Sequence, residues 1–157
     1  MSAARRRRID ATIAQLRALL PSDWSVSAAG QEGDVTLLRI ADASGTEGAL
    51  SLLTDDRLEP RQARGMWLPT HQSVLVSVDW LSERSRGLLR ERGASYIDRT
   101  GNVGIRLSSP GLYIRTDGAE RDPDPKPTKA PSLRGPRAWA LLRTLVEVCP
   151  PYTAGDL

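Results

Sequence analysis

The chain has very few residues that bind metals through sulfur or imidazole. Its 157 residues include one cysteine, Cys149, and one histidine, His71. A single cysteine excludes an intramolecular disulfide and any metal site built from several cysteines of one chain. His71 has no cysteine beside it for a catalytic pair or a metal cluster, so we interpret it as a surface loop residue. This composition indicates a reducing compartment, the cytoplasm.

Lysine is almost absent, and phenylalanine does not occur. The two lysines are Lys126 and Lys129, and neither falls in a predicted strand. Nucleases of the restriction type hold a metal ion with carboxylates and place a lysine on a neighbouring strand, where it assists the attacking water. Gly101 and Gly104 do not form a phosphate-binding loop, because they lie between predicted strands rather than between a strand and a helix. We therefore expect no catalytic residue, no metal ligand and no cofactor.

Long hydrophobic runs are also missing, since no stretch approaches the length of a membrane span, and we expect no membrane partner.

The formal net charge is +3, of which the run from Arg5 to Arg8 supplies four positive charges, so the rest of the chain carries −1. Two interpretations of this run stay open. It contacts nucleic-acid phosphates, or it is a solvated start to a helix.

Apolar spacing predicts an α/β (α+β) fold with a mixed sheet flanked by helices. Apolar residues recur at helical spacing between Ile9 and Leu20, which predicts a first helix from about Arg5 to Leu20. Ser82 is a plausible N-cap for a second long helix. The predicted strands are an antiparallel trio at 24–28, 35–41 and 49–53 with a first turn at 30–34, a strand at 74–78 covered on both faces, and strands near 96–97, 103–107 and 112–115.

A short turn motif joins the second long helix to the following strands. Gly93 is placed to close the helix, and the residues from Asp98 to Asn102 have the chemistry of a tight turn. In the structural interpretation, which we favour, Asp98 caps backbone N–H groups and Gly101 takes a positive φ. In the functional interpretation, Asp98 and Asn102 orient a loop that contacts DNA or a partner. Tyr96 begins the strand before the turn.

This segment resembles one found in bacterial AbiEi-type antitoxins of type IV toxin–antitoxin systems and in related actinobacterial-style winged helix-turn-helix regulators. The matching residues are Gly93, Tyr96, Ile97, Asp98, Gly101, Asn102 and Val103. The resemblance implies a restriction-endonuclease-like domain followed by a winged helix that binds operator DNA and controls transcription. It also implies three partners: duplex DNA, a second copy of the chain, and a toxin or another protein.

The domain organisation that we predict follows from this resemblance and from a change in composition. A catalytically silent domain covers 1–117, a proline-rich linker covers 118–135, and 136–157 begins a winged helix that continues past the last residue. Thr153 is the N-cap expected for a helix that starts there. The predicted DNA-binding residues are Arg5, Arg6, Arg7, Arg8, Arg134, Arg137 and Arg143.

Two alternatives to a transcriptional regulator remain open. One is a metal-dependent nuclease with a displaced active site, for which Asp34 and Glu47 are the candidate carboxylates because they lie near predicted hairpins. The other is a protein-interaction module in which the domain binds another protein. The first predicts DNA cleavage with magnesium or manganese, and the second predicts an extensive apolar surface.

Overall fold

In the computed structural model of the chain, residues 3–66 and 73–125 are described. The chain divides into two compact units, Met1–Pro123 and Asp124–Leu157. His71 and Cys149 lie outside the described residues. So do the predicted winged-helix segment and three of the predicted DNA-binding arginines, Arg134, Arg137 and Arg143.

The described residues form a seven-stranded mixed sheet with three helices, which confirms the predicted fold class. The elements in chain order are α1 (Ala3–Leu19), β1 (Ser25–Glu32), β2 (Val35–Ala41), β3 (Glu47–Thr54), α2 (Pro60–Gly65), β4 (Ser73–Val78), α3 (Glu83–Glu91), β5 (Ser95–Asp98), β6 (Val103–Leu107) and β7 (Leu112–Thr116). The strands lie in the sheet in the same order as in the sequence.

The sheet changes direction twice. β1, β2 and β3 pair antiparallel, β3, β4 and β5 pair parallel, and β5, β6 and β7 are again antiparallel. Because β3, β4 and β5 run in one direction, their last residues, Thr54, Val78 and Asp98, lie along one edge of the sheet. We call this the carboxyl edge. The turn at Gly33 and Asp34 lies on it too, because β2 starts where the antiparallel β3 ends.

Two hydrophobic cores lie on opposite faces of the sheet. The apolar stripe of α1, including the fully buried Leu16, covers one face. The other face packs against α2 and α3, where Leu89 is fully buried. β4 contributes to both cores, with Leu75 on the α1 side and Val74 and Val76 on the α3 side. The prediction of a strand covered on both faces is therefore confirmed.

The first strand is longer than predicted. β1 continues to Glu32, so the residues from Gly30 onward that we interpreted as a turn pair with β2. A register shift between Ala28 and Gly30 marks a β-bulge, a position that tolerates glycine within a strand. The turn itself is the two-residue loop Gly33–Asp34, and Gly33 has the positive φ of 56° that the first position of a type II′ hairpin requires.

Asp42 closes the next turn, between β2 and β3. Its Oδ1 atom accepts hydrogen bonds from the Ser44 hydroxyl at 2.7 Å and from the backbone N–H groups of Ser44 at 2.8 Å and Thr46 at 2.9 Å. These donors stabilise the ionised carboxylate, and the Ser44 hydroxyl contributes most to lowering the pKa of Asp42. The turn is therefore most stable when Asp42 is charged.

We expect Ser44→Ala to raise the pKa of Asp42 towards its ordinary value of 3.8, as measured by NMR titration of the carboxyl carbon. A lowered pKa contributes stability that is present above the unfolded-state value and is lost as the pH falls through the folded-state value. The substitution should therefore reduce stability near neutral pH and have little effect in strong acid. Ser22→Ala, at an exposed loop position, is the control. An unchanged Asp42 titration in Ser44→Ala would contradict the assignment.

Candidate nucleic-acid interface

The turn motif at the carboxyl edge is built around the buried carboxylate of Asp98, which is 1% exposed. Its Oδ1 atom accepts hydrogen bonds from the backbone N–H groups of Thr100 at 2.9 Å and Asn102 at 3.0 Å and from the Thr100 hydroxyl at 2.7 Å. Its Oδ2 atom accepts from the backbone N–H of Leu81 at 3.0 Å and from the Asn102 side chain at 2.8 Å. One carboxylate thus links the β5–β6 turn to the segment that leads into α3.

Asn102 extends this network to the segment after β7. It is fully buried, and its Oδ1 atom accepts hydrogen bonds from the Arg86 guanidinium at 2.5 Å and from the Gly118 N–H at 2.9 Å. Its Nδ2 atom donates to the carbonyl oxygen of Ala119 at 3.2 Å. Residues 118 and 119, which we predicted to belong to the linker, are therefore part of the first unit and bonded to its turn motif. Gly101 has a φ of 96°, a conformation that favours glycine.

The arginine run of α1 reaches the carboxyl edge on one side only. Arg5 donates to the Asp34 carboxylate at 2.6 Å and also to the Asp34 carbonyl oxygen. Arg8 lies 2.6 Å from the carboxylate of Asp56 and 3.5 Å from that of Asp79. These ion pairs anchor α1 across the ends of β3 and β4. Since each pair is partly exposed, its contribution to stability is small, about 1 kcal/mol or less.

Arg6 and Arg7 form no ion pair with those aspartates. Both are exposed, and neither forms an ion pair in the part of the chain that the structure describes. Positions 5 and 8 are three residues apart and share the face of α1 that meets these aspartates, whereas the side chains at 6 and 7 are exposed. The four arginines of α1, which belong to the seven predicted to bind DNA, are thus divided into an anchored pair and an exposed pair.

A cleft of about 330 Å³ opens between α1 and the ends of β4 and β5. Three of the four charged residues that line it are arginines, namely Arg7, Arg8 and Arg99, and the fourth is Asp79. Arg99 directly follows β5, and its side chain is 73% exposed. The cleft is therefore net positive and suits an anionic group such as a phosphate.

Hydrogen bonds beneath the cleft join α1 to the sheet. The hydroxyls of Thr12 and Ser77 are 2.7 Å apart and both residues are buried. Gln15 donates from Nε2 to the carbonyl oxygen of Asp98 at 2.8 Å. These contacts join α1 to β4 and β5, so the arginines above them are carried on a rigid base. Ligands of parallel sheets commonly bind at this edge, outside the carboxyl ends of the strands.

The two carboxylates considered for nuclease chemistry do not come together. Asp34 lies at the carboxyl edge and pairs with Arg5, whereas Glu47 begins β3 at the opposite edge and lies 3.6 Å from Arg39. The strand between them is eight residues long, or about 25 Å, too far for both to hold one cation. Within residues 3–66 and 73–125, no group of three or more His, Cys, Asp or Glu side chains is placed to bind a metal ion.

The sequence matches no protein-family model, and no curated protein or solved structure is significantly similar to it. The antitoxin resemblance of the turn motif therefore stays a prediction. Among the described residues, no helix is long and apolar enough to cross a membrane. A proposal about function therefore rests on the geometry of the cleft and of the surrounding surfaces.

Sequence reasoning missed Arg99, Thr12 and Gln15 as parts of the cleft. Arg99 lies inside the turn motif, but only the sheet topology shows that it points to the same edge as α1. Thr12 and Gln15 follow Arg8 at spacings of four and then three residues, so a polar stripe on α1 beside the apolar one was a usable signal.

Proposed function

We propose that the chain binds duplex DNA and acts as a transcriptional regulator, with its first unit contacting the phosphate backbone at the carboxyl edge. The observation that carries this proposal is the cleft in which Arg7, Arg8 and Arg99 face one another around a single aspartate. Guanidinium groups bind phosphate oxygens in a bidentate manner, and a cluster of them favours a polyanion. Arg6 extends the same basic surface on the solvent side of α1.

The aspartates beside these arginines limit the affinity that this surface can have for DNA. Asp56 and Asp79 already neutralise part of the charge on Arg8, so we expect modest affinity that falls steeply with salt. Phosphate contacts position a protein on DNA and carry no base information themselves. The proposal therefore assigns operator recognition to the winged helix that the resemblance implies, and not to the carboxyl edge. Cytoplasmic location, pairing with a second copy, and a toxin or other protein partner belong to the same proposal.

The triple variant Arg6→Ala, Arg7→Ala, Arg99→Ala is expected to bind a labelled DNA duplex about tenfold or more weakly at low salt, because three phosphate contacts are removed. Fluorescence anisotropy of the whole chain over a salt series measures this. The slope of log K against log salt should become shallower by about 0.9 for each phosphate that is no longer neutralised. The three side chains are exposed, so the thermal midpoint should not change.

The matched control removes the same charge from the α2 and α3 side of the sheet, with Arg61→Ala, Arg64→Ala and Arg84→Ala. These three arginines are exposed and form no ion pair within the described ranges, whereas Arg99 of the test variant lies 3.8 Å from the carboxylate of Asp79. If the control weakens duplex binding as much as the triple variant does, the carboxyl edge is not the interface. Failure of the whole chain to retain any promoter fragment in a low-salt gel shift would contradict the regulator proposal itself.

A further inference from the structure

A second basic surface lies on the opposite face of the sheet from α1. Val103, Ile105 and Leu107 point into the α1-side core, so the residues between them in β6, Gly104 and Arg106, point to the α3 side. Leu112 and Ile114 of β7 also pack on the α1 side, which directs Tyr113 and Arg115 to the same side as Arg106. We call the surface formed by Arg90, Tyr96, Gly104, Arg106, Tyr113 and Arg115 the β6–β7 face.

The strand register places these side chains in two adjacent rows. Tyr96 pairs with Gly104, and Gly104 pairs with Arg115, which makes one row across β5, β6 and β7. Arg106 lies directly opposite Tyr113 in the next row. Directly paired residues have Cβ atoms about 5 Å apart, so the side chains of Arg106 and Tyr113 begin side by side on this face. Together with Arg90 of α3 they surround a cavity of about 200 Å³.

The charge of this face differs from that of the carboxyl edge. Its three charged lining residues, Arg90, Arg106 and Arg115, are all arginines, and no carboxylate lines the cavity. None of the three forms an ion pair with any residue in the described ranges. An anionic partner would therefore meet these guanidinium groups without displacing carboxylates of the protein, which favours its binding.

Tyr113 supplies an aromatic surface beside these charges. It is 72% exposed and is the one large hydrophobic side chain that is exposed in the described part of the chain. A tyrosine next to an arginine on an open strand is the arrangement on which single-stranded nucleic acids stack their bases. Duplex DNA keeps its bases stacked on one another, so the ring would gain little from a duplex.

Tyr96 provides a polar group at the base of the cavity. The Tyr96 ring lies over Gly104. A Cβ atom at position 104 would be only 2.6 Å from two ring carbons, so the ring can take this position only because residue 104 is a glycine. Tyr96 is 1% exposed, lines the cavity, and its hydroxyl makes no hydrogen bond to the described residues. The hydroxyl is not itself a buried atom without a partner, so it reaches the cavity, where a ligand or water can form a hydrogen bond with it.

We infer that the β6–β7 face binds single-stranded nucleic acid, with a base stacked on Tyr113 and phosphates held by Arg106 and Arg115. The cavity is smaller than the roughly 300–1,000 Å³ of pockets that enclose small ligands, and Tyr113 lies mostly outside it. A free nucleotide would therefore be poorly covered, whereas a strand can continue along β7 and add further phosphate contacts. This site lies across the sheet from the duplex interface proposed above and does not depend on it.

The test measures binding of the whole chain to a labelled oligothymidylate and a labelled oligouridylate by fluorescence anisotropy. Tyr113→Ala and the double variant Arg106→Ala, Arg115→Ala are each expected to weaken at least one of the two strands about tenfold, while Tyr113→Phe stays within about twofold. All these positions are exposed, so thermal melting should confirm that the variants fold. If Tyr113→Ala binds both strands as tightly as the unchanged protein does, the inference is wrong.

Further measurements distinguish this site from the carboxyl edge and from a nucleotide pocket. Affinity for the single strand should be unchanged in the carboxyl-edge variant Arg6→Ala, Arg7→Ala, Arg99→Ala. If this variant loses as much affinity for the single strand as Arg106→Ala, Arg115→Ala does, the inference is wrong. Photocrosslinking with a 5-iodouracil strand should label Tyr113, as mapped by mass spectrometry, and labelling confined to other peptides would also overturn it. So would a mononucleotide that competes as well as the strand, since the site would then take free nucleotides.

Discussion

Replacing Asp98 with alanine is expected to lower the free energy of unfolding by about 4 kcal/mol and the thermal midpoint by roughly 10 °C. The carboxylate accepts five hydrogen bonds, including those from the backbone N–H groups of Leu81, Thr100 and Asn102. Alanine leaves these donors without their acceptor at a position that is 1% exposed. A buried donor without a partner costs about 1–3 kcal/mol, and several are created at once.

Chemical denaturation followed by tryptophan fluorescence measures the effect of Asp98→Ala. Asp98→Asn should be less severe, because the amide keeps one oxygen for the backbone donors but turns an NH₂ group towards Leu81 or Asn102. Asp10→Ala, on the exposed side of α1, is the matched control and should change stability by no more than about 0.5 kcal/mol. If the free energy of unfolding of Asp98→Ala differs from that of the unchanged protein by no more than about 0.5 kcal/mol, the turn network does not contribute to stability.

Valine at Gly48 should destabilise the same domain by about 3 kcal/mol or more, because its side chain would overlap atoms that cannot move aside. Gly48 lies in β3 against the turn between β6 and β7. A Cβ atom there would overlap the carbonyl oxygen of Ser109 and lie 2.8 Å from Cδ of Pro110. Both contacts involve backbone or a proline ring, which cannot rotate away. The Ser109 hydroxyl also donates to the Glu47 carbonyl oxygen at 3.3 Å, so displacing the turn breaks this hydrogen bond.

Gly30→Val is the control for Gly48→Val, because a Cβ atom at Gly30 has no heavy atom within 4 Å and the residue also lies in a strand. Thermal melting of the two variants compares them directly. We expect Gly30→Val to stay close to the unchanged protein, since valine favours extended backbone. Equal midpoints for the two variants would mean that the β6–β7 turn moves freely and that its packing against β3 is unimportant.

The elements of the fold were largely predictable, because their signals are local. The apolar stripe of α1, the Ser82 N-cap and the alternation in β6 each report which side of an element is buried. The Ser82 side chain accepts a hydrogen bond from the Ser85 N–H at 3.1 Å, as an N-cap should. Boundaries were harder to predict. β1 ran past its predicted end, since a glycine at a bulge resembles a glycine at a turn.

The surfaces available to a partner were much less predictable. A helical pattern shows that Arg5 and Arg8 share a face, but not that Asp34 and Asp56 lie opposite them. Likewise, the alternation of β7 places Tyr113 and Arg115 on one face. It does not show that α3 leaves this face open. Both outcomes depend on contacts between residues far apart in the chain.

The amino-acid sequence by itself determined the class of the fold, the helical and extended segments, and the chemistry of the Asp98 turn, because all of these depend on neighbours within a few residues. The tertiary structure alone decided which arginines are anchored by aspartates and which face solvent. It also brought Arg99 to α1 and Arg106 beside Tyr113. The physical reason is that burial and charge pairing are set by the order and direction of strands in the sheet, which local spacing does not encode.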